Sequence, residues 1–155
     1  MKSCLWVRNV SKRRPLNSRF LKRILKAALA SKFPDYETEI GFLIQSDPAI
    51  AELNLSFLNH EGPTDVITFD YNDAGQADRL SGEAHIGVEV AVRQAVEFDS
   101  HWTEELTRYC LHAILHLAGF DDKEAAARKV MKAHENRWVD WCRNEFDLER
   151  IERAD

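Results

Sequence analysis

The chain is poor in cysteine. Among its 155 residues only Cys4, Cys110 and Cys142 occur; they are odd in number, far apart and without a CxxC pair. That pattern argues against a disulfide framework and for a reducing compartment, the cytoplasm. No stretch approaches the roughly 20 apolar residues needed to cross a bilayer. The start, residues 1–7, is too short for a secretory signal and is followed at once by Arg8. Repeats, low-complexity tracts and long linkers are also missing. What remains is the expectation of one soluble domain with no membrane association. Hydrophobic residues make up 45% of the chain and charged ones 30%, enough to bury a core and to exclude disorder for the bulk of it.

Acidic residues are absent from the first 34 positions, which carry ten Lys or Arg; the remainder carries eleven basic and twenty-six acidic residues. The net charge of −5 therefore conceals a balance of +10 followed by −15. Such a split suits a basic face for nucleic acid or an acidic membrane surface; a solvated basic helix is the plainer alternative.

Periodicity supplies the elements. Residues 4–10 read as a strand. Asn17 or Ser18 caps a helix with Phe20, Leu21, Ile24, Leu25, Ala28 and Leu29 on its apolar stripe, which leaves Arg19, Lys22, Arg23 and Lys26 largely off that stripe. Residues 38–45 form a second strand. Pro48 then opens a helix that turns Ile50, Leu53, Phe57 and Leu58 to the core. A loop over 59–63, a strand over 65–71, a polar loop over 72–81 and a strand over 83–88 follow. Helices are predicted over 90–98, 103–117 and 123–146, the last with Val130, Met131, His134, Trp138 and Trp141 at core spacing. Strands and helices mix without strict alternation, so the fold class is α+β: one small mixed sheet of about four strands with helices packed on it. The spacing favours core packing over base stacking for Trp138 and Trp141; Trp102 is open to either.

Chemistry concentrates in residues 110–122. His112 and His116 are four apart on a predicted helix, so both imidazoles project from one face. Gly119 ends that helix and lets the chain turn. Asp122 follows, where a returning chain can offer a third ligand. Asp121, with Glu124 three residues on, is expected to cap the last helix, which frees Asp122. Two His and one carboxylate suit Zn²⁺ with an open fourth position, at the end of a central helix. A zinc-protease reading is weak, because Ala113 stands where those enzymes carry their general-base Glu.

These residues resemble the YbeY family of bacterial single-strand endoribonucleases of ribosomal RNA maturation. The family motif His-Gly-x-Leu-His-Leu-x-Gly-Tyr-Asp-His is matched by residues 112–122. Its Leu-Asn-x-x-Tyr-Arg and Thr-Asp-Val-Leu-Ser-Phe stretches are matched by residues 53–58 and 64–69, and its Gly-Asp-Ile by residues 82–84. The resemblance implies a three-ligand metal, action on small-subunit ribosomal RNA and association with the small ribosomal subunit or its proteins. Two departures stand out. The third family His is Asp122, whose charge lowers Lewis acidity and shifts preference towards harder metals such as Mn²⁺. The family Arg is Leu58, which removes a cation for the scissile phosphate; His60, two residues on, is a weak substitute.

The expected function is thus a metal-dependent endoribonuclease of ribosomal RNA maturation and ribosome quality control. His112, His116 and Asp122 hold the ion, whose open position takes water or a phosphate oxygen, and no protein general base is identified. Arg19, Lys22, Arg23 and Lys26 hold the RNA backbone. The alternative is a metal-stabilised, ribosome-associated RNA-binding factor with little nuclease activity.

Overall fold

The computed structural model describes residues 3–73 and 77–152. Part of the expected polar loop, residues 74–76, lies outside them. The elements run β1 (Ser3–Asn9), α1 (Ser18–Lys32), β2 (Glu37–Gln45), α2 (Asp47–Leu58), β3 (Val66–Asp70), β4 (Arg79–Gly87), α3 (Val88–Glu97), α4 (Trp102–Leu117) and α5 (Ala125–Glu145), with a closing 3₁₀ turn at Leu148–Glu152. The strands form one sheet in the order β1-β2-β4-β3, with the first two pairings parallel and β3–β4 antiparallel. A parallel pair needs a crossover, and α1 supplies it between β1 and β2. The fold class read from the sequence holds.

Helix α4 is the central element. It packs against β3, β4, α3, α5 and the final 3₁₀ turn. Leu106, Cys110, Leu111, Ala113, Ile114 and Leu115 are all fully buried, so the helix is apolar on most sides. Trp102 and Trp138 are also buried, which places both in the core. Among the described residues no helix is long and apolar enough to cross a membrane.

Caps follow the sequence in α1, where Asn17 Oδ1 accepts from the Phe20 N–H at 3.0 Å. Elsewhere the structure corrects the reading. In α2 only Ile50 and Asn54 are buried, whereas Phe57 is 63% and Leu58 47% exposed. The amide explains it: Asn54 Nδ2 donates to the Gly62 carbonyl at 2.9 Å, folding the loop back over the helix, so α2 turns a polar anchor inward where an apolar side chain was expected. Strand β4 begins at Arg79, inside the expected loop, because its pairing with β2 extends to Glu37. Helix α5 begins at Ala125. Asp121 does not cap it; its Oδ1 instead accepts from the Lys123 N–H at 3.0 Å, a local turn that delays the helix. Val130 is exposed, not core.

Gly82 governs how closely the sheet meets α4. A Cβ there would lie 2.4 Å from the Phe69 carbonyl oxygen and 2.6 Å from Leu117 Cδ2. The end of α4 thus rests directly on bare strand backbone. Gly82→Ala is expected to destabilise the fold by about 1–3 kcal/mol through overpacking, read as a lower urea midpoint at unchanged slope. An unchanged midpoint would contradict this close approach.

Candidate metal centre

Helix α4 carries a polar stripe on an otherwise apolar rod. Glu105, Arg108, Tyr109 and His112 recur at spacings of three and four, so they share a face. That face lines a cavity of about 710 Å³, whose other walls include Pro63, Thr64 and Asp65 before β3, and Asp122, Arg128, Lys129, Lys132 and Glu135 from the start of α5 and the turn before it.

The turn after α4 explains how Asp122 reaches His112. Gly119 takes φ +103°, a conformation that disfavours side chains, while the Phe120 N–H reaches back to the Leu115 carbonyl at 3.1 Å. The reversed chain carries the Asp122 carboxylate to 3.6 Å from His112 Nε2. On the other side of the ring, Glu135 Oε2 lies 3.0 Å from His112 Nδ1.

Glu135 is a buried carboxylate, its side chain only 6% exposed. Such a group is costly unless paired. Here His112, Arg108 (Nη1 at 3.1 Å) and Lys132 (Nζ at 3.3 Å) all reach it. Burial alone would raise its pKa; the His112 hydrogen bond, the Lys132 charge and the Arg108 hydrogen bond outweigh burial and hold it below the usual carboxylate range. For His112 the balance is mirrored. Burial disfavours the imidazolium, but the hydrogen bond and charge of Glu135, then Asp65 and Asp122, raise its pKa above the ordinary value.

The donor chemistry fits a divalent ion. A histidine whose Nδ1 is fixed by a carboxylate presents Nε2 outward, the usual arrangement of metal-binding His, and Asp122 faces that nitrogen. The third expected ligand is not brought in. His116 is half-buried one turn along α4, but it lines no wall of this cavity, and its imidazole forms no hydrogen bond or ion pair within the described residues. Among the described residues no three His, Cys, Asp or Glu side chains are gathered tightly enough to hold an ion as they stand. Asp122, 46% exposed, is the most exposed of the three expected ligands.

The other candidates lie elsewhere. Helix α1 packs on β1, the edge of the sheet opposite β3, and none of Arg19, Lys22, Arg23 and Lys26 lines the cavity. His60 is exposed in the loop after α2 and does not line it either. The cations that do are Arg108, Arg128, Lys129 and Lys132. Burial disfavours the thiolate at the two inner cysteines: it pushes the Cys142 thiol up to about 12, and burial with the nearby Cys142 raises Cys110 as well. Sequence reasoning missed Glu135, although a signal existed. It sits on the buried stripe of α5 with Met131, Trp138, Val139 and Cys142, where a lone carboxylate demands a partner.

Comparison with known proteins gives a consistent result. A family model described as Endoribonuclease YbeY matches residues 7–142. The chain is 38% identical over 110 residues to Endoribonuclease YbeY of Bacteroides fragilis, covering 71% of this chain and 77% of the relative. It is 34% identical over 134 residues to Endoribonuclease YbeY of Azobacteroides pseudotrichonymphae, covering 84% and 88%. The solution structure of TM1509 from Thermotoga maritima is similar with a TM-score of 0.67 at 26% identity, over 98% of this chain and 97% of that one.

If Glu135 sets the state of His112, Glu135→Gln should drop the His112 pKa in metal-free protein below the ordinary value of about 6.5, because burial then acts unopposed by the carboxylate. An imidazole titration followed by NMR reads it directly. A pKa that stays raised would show that Asp65 and Asp122 suffice.

Proposed function

The chain belongs to the endoribonuclease YbeY family, and from that premise we propose that it is a metal-dependent, single-strand endoribonuclease acting on small-subunit ribosomal RNA in maturation and quality control. The observation that carries the metal dependence is the His112 ring, fixed by Glu135 on Nδ1 and faced by Asp122 at Nε2, inside a cavity lined by cations. His112, Asp122 and His116 would hold the ion, Zn²⁺ or the harder Mn²⁺. Bound there, a divalent ion supplies Lewis-acid polarisation of a phosphoryl oxygen and lowers the pKa of water.

The chain's own residues do the rest. Glu135 fixes the His112 ring and its tautomer, so the outward nitrogen needs no reorganisation. Arg108, anchored to Glu135 and to Asn136 Oδ1 at 2.7 Å, places a guanidinium against the cavity wall where charge develops on a phosphate. Burial raises the pKa of Tyr109, with Asp65 and Glu105 adding to it, so its hydroxyl stays protonated and acts as a donor. The basic surface of α1, with Arg19, Lys22, Arg23 and Lys26, lies apart from the cavity and suits a second stretch of RNA or the small ribosomal subunit. Free thiols at Cys4, Cys110 and Cys142 suit the cytoplasm.

A second reading is favoured by one observation: the three ligands are not gathered among the described residues. It is a ribosome-associated RNA-binding factor that the metal stabilises, with little cleavage. Elemental analysis of purified protein, paired with a cleavage assay on unstructured RNA, separates them. The enzyme reading expects about one metal per chain, lost with cleavage in His112→Ala and in His116→Ala. Tight RNA binding without cleavage in the fully metallated chain would favour the factor. Metal content unchanged in both variants would overturn the site assignment.

A further inference from the structure

The same cavity carries chemistry that the metal reading leaves unused. Of its four cations, Arg108 and Lys132 are engaged by the buried Glu135. Arg128 and Lys129 are not. Arg128 Nη1 donates to the carbonyl oxygens of Asp122 at 3.3 Å and Lys123 at 3.0 Å, which orients the guanidinium without neutralising it. Neither Arg128 nor Lys129 stands within ion-pair distance of a carboxylate among the described residues, and both are exposed on the cavity wall.

An aromatic ring lines the same cavity. Phe98 is 63% exposed and pairs with no other ring among the described residues. Its backbone is nonetheless fixed. The Phe98 N–H donates to the Gln94 carbonyl and the Ser100 N–H to the Ala95 carbonyl, each at 2.9 Å, while Asp99 between them takes φ +52°. This rigid ending of α3 holds the ring out on an anchored backbone, so little ordering is required for it to serve as a platform.

We propose that Phe98, Arg128 and Lys129 form a subsite for single-stranded RNA beside His112. The ring stacks one unpaired base and the two cations hold adjoining phosphates. The proposal rests on the ribonuclease reading above and specifies its substrate contacts. A base inside a duplex has no free face to offer Phe98, so stacking selects single strands, and phosphate contacts alone leave the site tolerant of sequence. The cavity volume of about 710 Å³ lies within the range of sites that enclose a small ligand.

The test is fluorescence anisotropy of the full chain with a labelled oligouridylate and a labelled RNA duplex across a salt series. Phe98→Ala should weaken oligouridylate binding on the order of tenfold, with duplex binding and salt slope unchanged, and Phe98→Trp should retain the affinity. The double variant Arg128→Gln, Lys129→Gln should shrink the salt slope by about 1.4, two phosphate contacts at about 0.7 each. Wild-type affinity in Phe98→Ala, equal weakening for the duplex, or an unchanged slope in the double variant would overturn the subsite. Absence of these effects in a chain that cleaves RNA removes the subsite alone. Their presence in a chain that never cleaves removes the ribonuclease reading alone.

Discussion

A carboxylate buried between two helices sets the terms for this site. Glu135 lies on the inward stripe of α5 among Met131, Trp138, Val139 and Cys142, and it meets α4 at His112 and Arg108. Left unpaired it would be strongly destabilising, on the order of 3–5 kcal/mol for a broken buried pair. Its partners are therefore fixed in place as a condition of packing α5 on α4. The orientation of His112 follows from helix packing, and so does the aim of its second nitrogen at Asp122. Structural and functional demands coincide in one side chain.

Around that pair the fold supplies three different kinds of positioning. Gly82 lets the end of α4 rest on bare strand backbone, which fixes the height of the His112 turn above the sheet. Gly119 reverses the chain and returns Asp122 to the ring it faces. Asp65 accepts from the Val66 N–H at 2.8 Å at the start of β3, and its charge adds to the field that favours a cation at His112. Each of the three acts on the surroundings of His112 from a different part of the chain.

Much of this is legible in the sequence. The i, i+4 pair His112 and His116, the helix stop at Gly119 and the return to Asp122 follow from helix geometry and turn chemistry, and the mixed four-stranded sheet from strand periodicity. What escaped was tertiary. Periodicity assigned Phe57 and Leu58 to the core, but the Asn54 amide took the inward position to hold the Gly62 carbonyl, and Leu58, at the place of the family Arg, faces solvent. The basic run in α1 is a true surface feature, yet the crossover that joins β1 to β2 sets it on the far edge of the sheet from β3. The cations of the cavity come from α4 and α5, inside the stretch after residue 34 whose summed charge of −15 hid them. A charge count along the chain cannot see which side chains a helix pair turns to a common cleft.

The central claim is that His112, held by Glu135, anchors a divalent ion together with His116 and Asp122. A crystal of the zinc-loaded protein, with anomalous scattering to locate the ion, tests it most directly. The account predicts one ion about 2.0–2.1 Å from His112 Nε2, with Asp122 and His116 drawn onto it and Glu135 still hydrogen-bonded to Nδ1. An ion bound elsewhere on the chain, with His112 still paired to Asp122, would contradict it.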